Sequence, residues 1–571
     1  MRFAIPGAAL AAAMLAACGE NGDYAEPFEG SVNLELQAHT EEFRPEVIEV
    51  TEGVHVAVGF ALANSILIEG EDGVIIVDTT ESGEAAEEVL AEFRRITGKP
   101  VKAVIYTHNH ADHIFGARVF TGGDPSIPVY AHETTERHID RFVNLLNGAI
   151  SVRSARMFGT WLPPGGVENA GIGPFLRFDN ANMALVRPTH TFSDRLEVEI
   201  AGVKLVLVHA PGETDDQLFV WLPEKRVLLP ADNFYRAFPN LYTIRGTPYR
   251  DVREWVASLD RMRALEPEFL VPSHSRPLSG REKVTEALTH YRDAIQFVHD
   301  QTVRAMNKGM TPDEAVAFVK LPDHLANYPW LRPFYGRVAW SVRNIFNGYL
   351  GWFSGDAVDL NPLPPKERAR RYARAFKAAA PLEQQARAAL DDGDYQWAAE
   401  LATHMTHAGD RTAGRRLKAE AFTAMAERTV NANGRNYYLS QAGELRGDFK
   451  ITQQPRAVIP DSFIDDLPVG NIMSVMPVRL KAEETLDMEK TAVFRFPDVG
   501  EAYTIHIRRG VAEFSEGAAD GAGIAITADS TVWKDIVFRK RTFQAAVASG
   551  DVKLEGGTLA AVNFLQLFEQ G

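Results

Sequence analysis

The sequence is poor in cysteine, in positive charge and in long apolar runs, and each shortage narrows the range of functions. Its 571 residues include one cysteine, Cys18, so the body of the chain has no cysteine to act as a nucleophile. The formal net charge of -16 repels phosphate backbones, which argues against a nucleic-acid partner. After the N-terminus no segment has the roughly 18 consecutive apolar residues that cross a membrane. The length predicts about two to four domains.

The N-terminus has the pattern of an export signal. Arg2 precedes an apolar run from Ala4 to Ala17, and Cys18 and Gly19 follow. Leu15-Ala16-Ala17-Cys18 resembles the bacterial lipobox, whose cysteine becomes lipidated. Plain cleavage is the alternative, but acylation gives the lone thiol a role. We therefore expect residues 1–18 to be a lipoprotein signal peptide, and the exported, periplasmic or outer-membrane protein to be tethered through a lipidated Cys18.

The first large segment, residues 34–310, has an α/β pattern. Short β-type runs come first, then an amphipathic helix, and then a further apolar strand, at Val54–Val58, Asn64–Ile68, Val74–Asp78, Ser82–Ile96 and Val101–Tyr106. Apolar runs resume over residues 196–209, 217–229 and 269–274. This order predicts an α/β domain with its site at the strand ends.

Three other stretches differ from this segment in composition and in hydrophobic periodicity. Residues 144–179 are rich in Gly and Pro without a steady period, which predicts a long loop or lid. Residues 311–450 read as a separate helical domain, with antiparallel helices over 366–380 and 382–426. Residues 456–571 contain alternating runs at 491–496 and 502–507, which predict a third domain of α+β type.

Four ligand-type residues crowd into the turn after the strand Val101–Tyr106. They are His108, His110, Asp112 and His113. A lone His-x-His pair is often a chance surface feature, but four ligands in six residues after a buried strand are typical of a metal site. Imidazole suits zinc, and an added carboxylate lets a second ion sit close by. Mixed His and carboxylate sites also accept iron or manganese, so the metal stays open.

Three more candidate ligands each come directly after an apolar run: Glu213, Asp232 and His274. His209 is a rival to Glu213, but its place inside a strand favours a packed histidine. We interpret His132 and His138 as structural or exposed. Asp78, which ends an earlier strand, is expected to orient a ligand histidine rather than bind the metal itself.

With these residues in place, the chain resembles the metallo-β-lactamase superfamily and, within it, the alkyl sulfatases, over nearly the whole mature length. The resemblance implies an αββα sandwich, a helical dimerisation domain and a C-terminal α+β domain like sterol carrier proteins. It implies two Zn²⁺ ions per subunit, the first held by His108, His110 and Glu213, the second by Asp112, His113 and His274, with Asp232 bridging both. Glu213 fits the alkyl sulfatases. Asp232 does not, because they carry Glu there and lactamase-like hydrolases carry Asp, so the subfamily stays open.

The segment from Asn233 to Thr247 is similar to the alkyl sulfatase segment that binds sulfate. The match implies that Asn240 and Arg245 grip the sulfate oxygens, and that Arg245 offsets the charge of the leaving sulfate. The alternative for Arg245 is an ion pair with a neighbouring carboxylate. Asp232 and Arg245 are thus the expected catalytic residues. Residues 340–353 and the helices after them resemble the dimerisation domain, which implies a homodimer.

Metal-dependent hydrolysis of linear, surfactant-like alkyl sulfate esters, by a water activated between two ions, is the function that we expect. One alternative is a related hydrolase acting on a lactone, a β-lactam or a phosphodiester, although a neutral ring needs no anion clamp such as Asn240 with Arg245. Another is a lipid-binding lipoprotein with a non-catalytic metal site. Seven candidate ligands argue against it, because a structural zinc site usually has four.

Overall fold

A computed structural model of the chain describes residues 28–144, 146–176, 183–377, 379–451 and 461–569. The predicted signal, 1–18, and Cys18 lie outside the described residues. The chain forms two compact units, Met1–Thr135 with Gly148–Val458, and Glu136–Asn147 with Ile459–Gly571. No helix in the described ranges is long and apolar enough to cross a membrane.

The first unit contains a seven-stranded sheet in the order β1-β2-β3-β4-β5-β6-β7. Its strands are β1 (Glu46–Thr51), β2 (Val54–Val58), β3 (Ser65–Glu69), β4 (Val74–Val77), β5 (Val101–Ile105), β6 (Val129–His132) and β7 (His190–Phe192). The first four pair antiparallel, and β4 to β7 pair parallel. The helices of the first unit in this region are α1 (Leu34–His39), α2 (Gly83–Ile96), α3 (Ala111–Ile114), α4 (Ala117–Thr121) and α6 (Asn147–Phe158), whereas α5 (Thr135–Asn144) lies almost entirely in the second unit.

A six-stranded sheet packs against the first one. Its strands are β8 (Arg195–Ile200), β9 (Val203–His209), β10 (Leu218–Leu222), β11 (Val227–Leu229), β12 (Phe269–Leu270) and β13 (Leu278–Ser279). Residues of both sheets, such as Ile66, Ile105, Leu207 and Val220, form one buried cluster. The helices α7 (Val252–Ala264) and α8 (Arg281–Asn307) cover the second sheet, while α4 packs on β5 and α2 on α4. The layers are helix, sheet, sheet and helix, which confirms the predicted αββα sandwich.

The loop predicted over residues 144–179 is wrong in its first part, because α6 is a helix. Among the α6 residues whose side chains are described, 148–158, only Ser154, Met157 and Phe158 are buried, and this short set gives no clear apolar period in the sequence. Met157 and Phe158 join a cluster with Phe334 and Ala432 from later in the chain. Tertiary packing, which has no local signature, therefore stabilises this helix. From Gly159 to residue 176 the chain has turns and irregular backbone, as predicted.

The segment from residue 311 to residue 446 is mainly helical, as predicted. The helices are α9 (Pro312–Phe318), α10 (Asp323–Ala326), α11 (Val338–Leu350), α12 (Pro365–Phe376), α13 (Leu382–Asp391), α14 (Tyr395–Ala408), α15 (Arg411–Arg428) and α16 (Ala432–Arg446). Consecutive helices from α13 to α16 pack on each other. Gly393 and Gly409 follow two of them with φ of 80° and 126°, values that suit glycine and end the helices there.

The second unit contains a five-stranded sheet in the order β16-β15-β14-β17-β18. Its elements are α17 (Asp461–Asp466), α18 (Val469–Ser474), β14 (Glu489–Phe496), β15 (Glu501–Arg508), β16 (Val511–Glu516), β17 (Ile524–Ala528), α19 (Ser530–Val537), α20 (Phe543–Ala548), β18 (Val552–Glu555) and α21 (Thr558–Leu565). Only β14 and β17 pair parallel. This arrangement confirms the α+β class, while the likeness to sterol carrier proteins stays a prediction.

Candidate metal centre

The His-rich turn lies where β5 ends and α3 begins, on the edge where several strands of the two sheets finish. His108 and His113 are fully buried, and His110 and Asp112 are partly exposed. Asp232 lies in a short 3₁₀ turn after β11, and His274 follows β12. Strand ends from both sheets therefore bring residues more than 100 positions apart in the sequence into one site.

The ligand atoms form two groups in which the atoms lie within 4.8 Å of one another: His108, His110 and Asp232, and Asp112, His113 and His274. Asp232 Oδ2 lies 3.7 Å from His108 Nε2, 3.6 Å from His113 Nε2 and 3.2 Å from His274 Nε2. Its carboxylate thus contacts both groups. The geometry is that of a residue between two cation positions.

Three histidines are held through Nδ1, so that Nε2 points into the site. His113 Nδ1 lies 2.7 Å from Asp78 Oδ2, and His274 Nδ1 lies 2.9 Å from the Leu62 carbonyl oxygen. His108 Nδ1 lies 3.0 Å from the Thr107 hydroxyl. His110 differs, because its Nδ1 faces His108 Nε2 at 2.9 Å. Fixing one ring nitrogen leaves the other as a defined ligand atom.

Buried atoms without partners show that this donor set fits a metal. His113 Nε2, His274 Nε2 and Asp232 Oδ1 are buried, and none has a hydrogen-bond partner among the described residues. Buried polar atoms in native proteins nearly always have a partner, so these three call for a ligand. Converging imidazole nitrogens and carboxylate oxygens are the ligands that zinc and similar divalent ions take.

Asp78 connects the ligand-bearing turns. Besides His113, it accepts hydrogen bonds from the backbone N–H of Thr107 at 2.9 Å, the Thr107 hydroxyl at 2.9 Å and the Ser273 hydroxyl at 2.8 Å. It is fully buried and has a φ of 58°, the left-handed region that a residue with a side chain rarely adopts. Asp78 thus orients His113, one of the predicted ligand histidines, and also contacts the turns after β5 and β12.

Charges in the centre balance one another. Burial raises the pKa of Asp232, but the charges of His274 and His113 outweigh it and hold that pKa well below its usual range. Burial lowers the pKa of His113, but the charges of Asp232 and Asp78 outweigh it and raise the pKa well above the ordinary value. Burial also lowers the pKa of His110, which favours its neutral ring. The Asp232 carboxylate therefore stays ionised and compensates positive charge.

Glu213 is buried but joins neither group of ligand atoms. Its Oε1 lies 2.8 Å from Arg250 Nη1, and its Oε2 has no hydrogen-bond partner among the described residues. Burial raises the pKa of Glu213, and the charge of Arg250 opposes that rise. Of the seven predicted ligands, six thus converge and Glu213 has one oxygen left to join them. Sequence reasoning missed Arg250, which lies five residues after Arg245 and just beyond the segment Asn233–Thr247 that was singled out.

Arg245 and Asn240 reach the same centre from the segment after Asp232. Arg245 Nη2 lies 3.2 Å from His110 Nε2, and within the described residues no carboxylate lies at salt-bridge distance from this arginine. Asn240 is buried, and both polar atoms of its side-chain amide lack partners within the described part of the chain. Arg153 holds the segment by donating to the carbonyl oxygens of residues 244 and 245. The ion-pair interpretation of Arg245 thus receives no support.

The other histidines stay outside the centre. His209 Nε2 lies 2.7 Å from the Asp215 carbonyl oxygen, and its ring stacks on His132 with centroids 3.9 Å apart. His132 Nε2 in turn lies 2.9 Å from the Ser193 carbonyl oxygen. Both rings are thus engaged in packing and backbone contacts, which confirms His209 as a packed histidine.

Three family models match the chain. They are the metallo-beta-lactamase superfamily over residues 58–274, alkyl sulfatase dimerisation over 311–448 and alkyl sulfatase C-terminal over 458–571. A linear primary-alkylsulfatase of Pseudomonas sp. (strain ATCC 19151) is 40% identical over 519 residues, which cover 88% of this chain and 98% of that protein. An (R)-specific secondary-alkylsulfatase of Pseudomonas sp. is 30% identical, with coverage of 89% and 79%. The solved structure of the stereoselective inverting sec-alkylsulfatase Pisa1 from Pseudomonas sp. superposes with a TM-score of 0.87 at 27% identity, covering 96% of this chain and 88% of that one.

Proposed function

Since this chain belongs to the alkyl sulfatase family of the metallo-β-lactamase superfamily, we propose that it hydrolyses linear alkyl sulfate esters to an alcohol and sulfate. The observation that carries the proposal is that candidate metal ligands and an anion-binding guanidinium lie side by side. Ligand atoms of five other residues converge around Asp232, and Arg245, which contacts His110, adds a guanidinium beside them. A cation site and an anion clamp in one place are what a sulfate ester requires.

The metal pair is proposed to be two Zn²⁺ ions per subunit. The ligands would be His108, His110 and Glu213 for the first ion, Asp112, His113 and His274 for the second, and Asp232 between them. When bound, the ions supply a nucleophile at neutral pH by lowering the pKa of a water, and they polarise the sulfate oxygens.

The chain's own residues bind and orient the ester. Arg245 and Asn240 donate to the sulfate oxygens and fix the ester next to the ligand cluster. As the ester bond breaks, negative charge grows on the sulfate, and Arg245 stabilises it because its guanidinium is already oriented beside the ligand cluster. Asp232, held ionised by the histidines around it, orients a water by accepting a hydrogen bond at Oδ1 or Oδ2.

Sulfate release from sodium dodecyl sulfate tests this function. We expect protein lacking residues 1–18 to release inorganic sulfate, to lose the activity in the presence of a chelator, and to regain it when zinc is added back. Restoring with iron or manganese in parallel would identify the metal. A metal-loaded protein that is inert on alkyl sulfates but cleaves a lactone, a β-lactam or a phosphodiester would contradict the proposal and favour a rival hydrolase.

A homodimer is part of the proposal. The chain carries an alkyl sulfatase dimerisation domain, and the segment after α11 exposes apolar side chains: Leu350, Trp352, Val358 and Leu360 are 54% or more exposed. Exposed large apolar side chains of this kind are typical of a protein interface.

We expect the double change Trp352→Ser and Val358→Ser to weaken the dimer by ~2 kcal/mol or more, roughly 30-fold in dissociation constant, in analytical ultracentrifugation. Leu559→Ser, which alters an equally exposed leucine of the second unit, is the control. An unchanged dimer would place the interface elsewhere.

Export, tethering and chain binding complete the proposal. Lipidated Cys18 would hold the protein at a bacterial membrane on the periplasmic or outer-membrane side. We expect the protein to incorporate labelled palmitate and the Cys18→Ser variant to lose that incorporation. The second unit has a cavity of about 420 Å³ that is lined by apolar side chains, such as Ile472, Ile536 and Phe543, and by the arginines Arg479 and Arg541. The apolar part of this lining supports a sterol-carrier-like role in sheltering alkyl chains. Binding of a fluorescent fatty-chain probe tests this role, and a purely structural domain would not bind the probe.

A further inference from the structure

His110 has less support from the protein than the other histidines of the centre. The other three rings each have Nδ1 fixed by a group outside the ligand set. The ring of His110 instead has its Nδ1 2.9 Å from His108 Nε2, and its Nε2 contacts Arg245. Because no group of this kind orients the His110 ring, the position of this ligand depends on the backbone of the turn that carries it.

The side chain of Asn109 anchors that backbone. Asn109 lies between His108 and His110 in the turn after β5, and its Nδ2 donates a hydrogen bond to Asp216 Oδ1 at 2.7 Å. On the other side, the carbonyl oxygen of His110 accepts from the backbone N–H of His113 at 3.0 Å. Hydrogen bonds to an ionised carboxylate are stronger than those between neutral groups. The bond to Asp216 is therefore a main restraint on the position of His110.

Asp216 has a fixed position of its own. It is fully buried just before β10, and its second oxygen, Oδ2, accepts a hydrogen bond from the Thr135 hydroxyl at 2.8 Å. Thr135 is also fully buried and follows β6 by three residues. The carboxylate thus has one oriented donor on each oxygen, and it joins the turns after β5 and β6 to the segment before β10.

The segment that carries Asp216 also reaches the other ligands proposed for the first ion. Glu213 lies three residues before Asp216, and the fully buried Gln217 follows it. In the amide orientation that the surrounding donors require, the side-chain oxygen of Gln217 accepts from the backbone N–H groups of Asp232 at 3.2 Å and Asn233 at 2.7 Å. Asp216 and Gln217 therefore link all three segments that supply this ion's ligands.

The ligands of the second ion have a different support. Asp78 contacts His113 directly and the Ser273 hydroxyl beside His274, and it also contacts Thr107 next to His108. Asp78 thus reaches both groups of ligand atoms. The hydrogen bond that Asp216 makes to Asn109 leads to the first group alone.

We propose that Asp216 is a positioning residue of the first cation position, which it sets by fixing Asn109 and, through Asn109, the backbone of His110. The inference rests on the metal pair of the proposed function and adds a residue that controls one ion and not the other. Asp216 acts by accepting hydrogen bonds, so an uncharged side chain with the same shape and an acceptor oxygen should replace it. Loss of such an indirect partner lowers metal affinity by about 10- to 100-fold.

Zinc titration of the metal-free protein, in competition with a chromogenic chelator, tests the proposal without activity. We expect Asp216→Leu, which keeps a similar size but no hydrogen bond, to weaken one of the two ions by about 10- to 100-fold and to leave the other nearly unchanged. Asp216→Asn should restore most of the affinity, because its amide can accept from Asn109 and donate to Thr135. Asp498→Leu is the control, since Asp498 also accepts two hydrogen bonds, from Ser530 in the second unit, and it should change neither affinity.

Anomalous diffraction from crystals of Asp216→Leu grown with zinc identifies the ion that is lost. Lower occupancy beside His108 and His110 supports the proposal. Lower occupancy beside His113 and His274, equal weakening of both ions, or unchanged affinities would overturn it. An Asp216→Asn variant as weak as Asp216→Leu also overturns it, because the charge and not the hydrogen bonds would then be required.

Asn109→Ala tests the same hydrogen bond if Asp216→Leu folds poorly, since Asn109 is partly exposed. Weakening of one ion supports the proposal, and unchanged affinities overturn it. Sulfate release from dodecyl sulfate separates the role of Asp216 from the proposed function. If the original protein binds two ions that depend on Asp216 as expected but releases no sulfate, the proposed function fails and the role of Asp216 stands. If the original protein releases sulfate but Asp216→Leu binds both ions as tightly, the role of Asp216 fails and the proposed function stands.

Discussion

Replacement of Asp232 by alanine is expected to abolish alkyl sulfate hydrolysis and to empty at least one of the two cation positions. Asp232 Oδ2 approaches His108, His113 and His274 within 3.7 Å, so its loss leaves three buried imidazoles without their shared negative charge. Loss of an indirect partner of a metal ligand already costs about 10- to 100-fold. We expect a larger fall in kcat/KM here, together with fewer metal ions per subunit by elemental analysis.

Asp232→Glu is the control for this change. Glutamate keeps the charge but moves the carboxylate outward by one methylene, so we expect both ions to stay bound with a reduced kcat. If Asp232→Ala instead kept two ions and most of its activity, the carboxylate would not lie between the cations and the centre would need a different bridging group. Asp232→Asn, which keeps the shape and loses the charge, separates the two contributions.

The positions of the candidate ligands were predictable because each follows a buried strand. A strand buried on both faces gives a continuous apolar run, and the first polar residue after it lies at the sheet edge. His108, Asp232 and His274 all meet this condition, and the structure brings them together. The fold class followed from the same runs and from the helix between them.

Contacts between distant segments were not predictable in this way. Arg250 contacts Glu213 across 37 positions and Asp78 contacts Ser273 across 195, and no local pattern marks either pair. The helix α6 was missed for a related reason, since its burial depends on Phe334 and Ala432 from the helical segment. Ligand positions depend on local strand ends, whereas the residues that orient the ligands depend on how the two sheets and the helices pack.

Strain accompanies this packing. Four residues next to the site have positive φ without being glycine, namely Asp78 (58°), Thr80 (74°), Ala231 (55°) and Ser275 (72°). Such backbone persists where the surrounding contacts fix it, and it is frequent at functional sites. Its presence on three separate strand ends indicates that the centre is preorganised by the fold and does not need to form around the ester.

Arg245→Ala is expected to lower kcat/KM on dodecyl sulfate by about 100- to 1000-fold while leaving the metal content unchanged, since loss of one oriented donor to a developing anion has that effect. Arg245 contacts the centre only through His110 Nε2, and the Nδ1 of that ring is the nitrogen that faces His108. The ligand group should therefore survive the change. Arg245→Lys keeps the charge but lacks the planar guanidinium, so we expect a partial recovery of kcat/KM.

Hydrolysis of a neutral ester by the same centre should be nearly insensitive to both changes. If its hydrolysis fell equally, Arg245 would act on the metal ligands and not on the sulfate, and Asn240 would be the remaining residue of the proposed anion clamp.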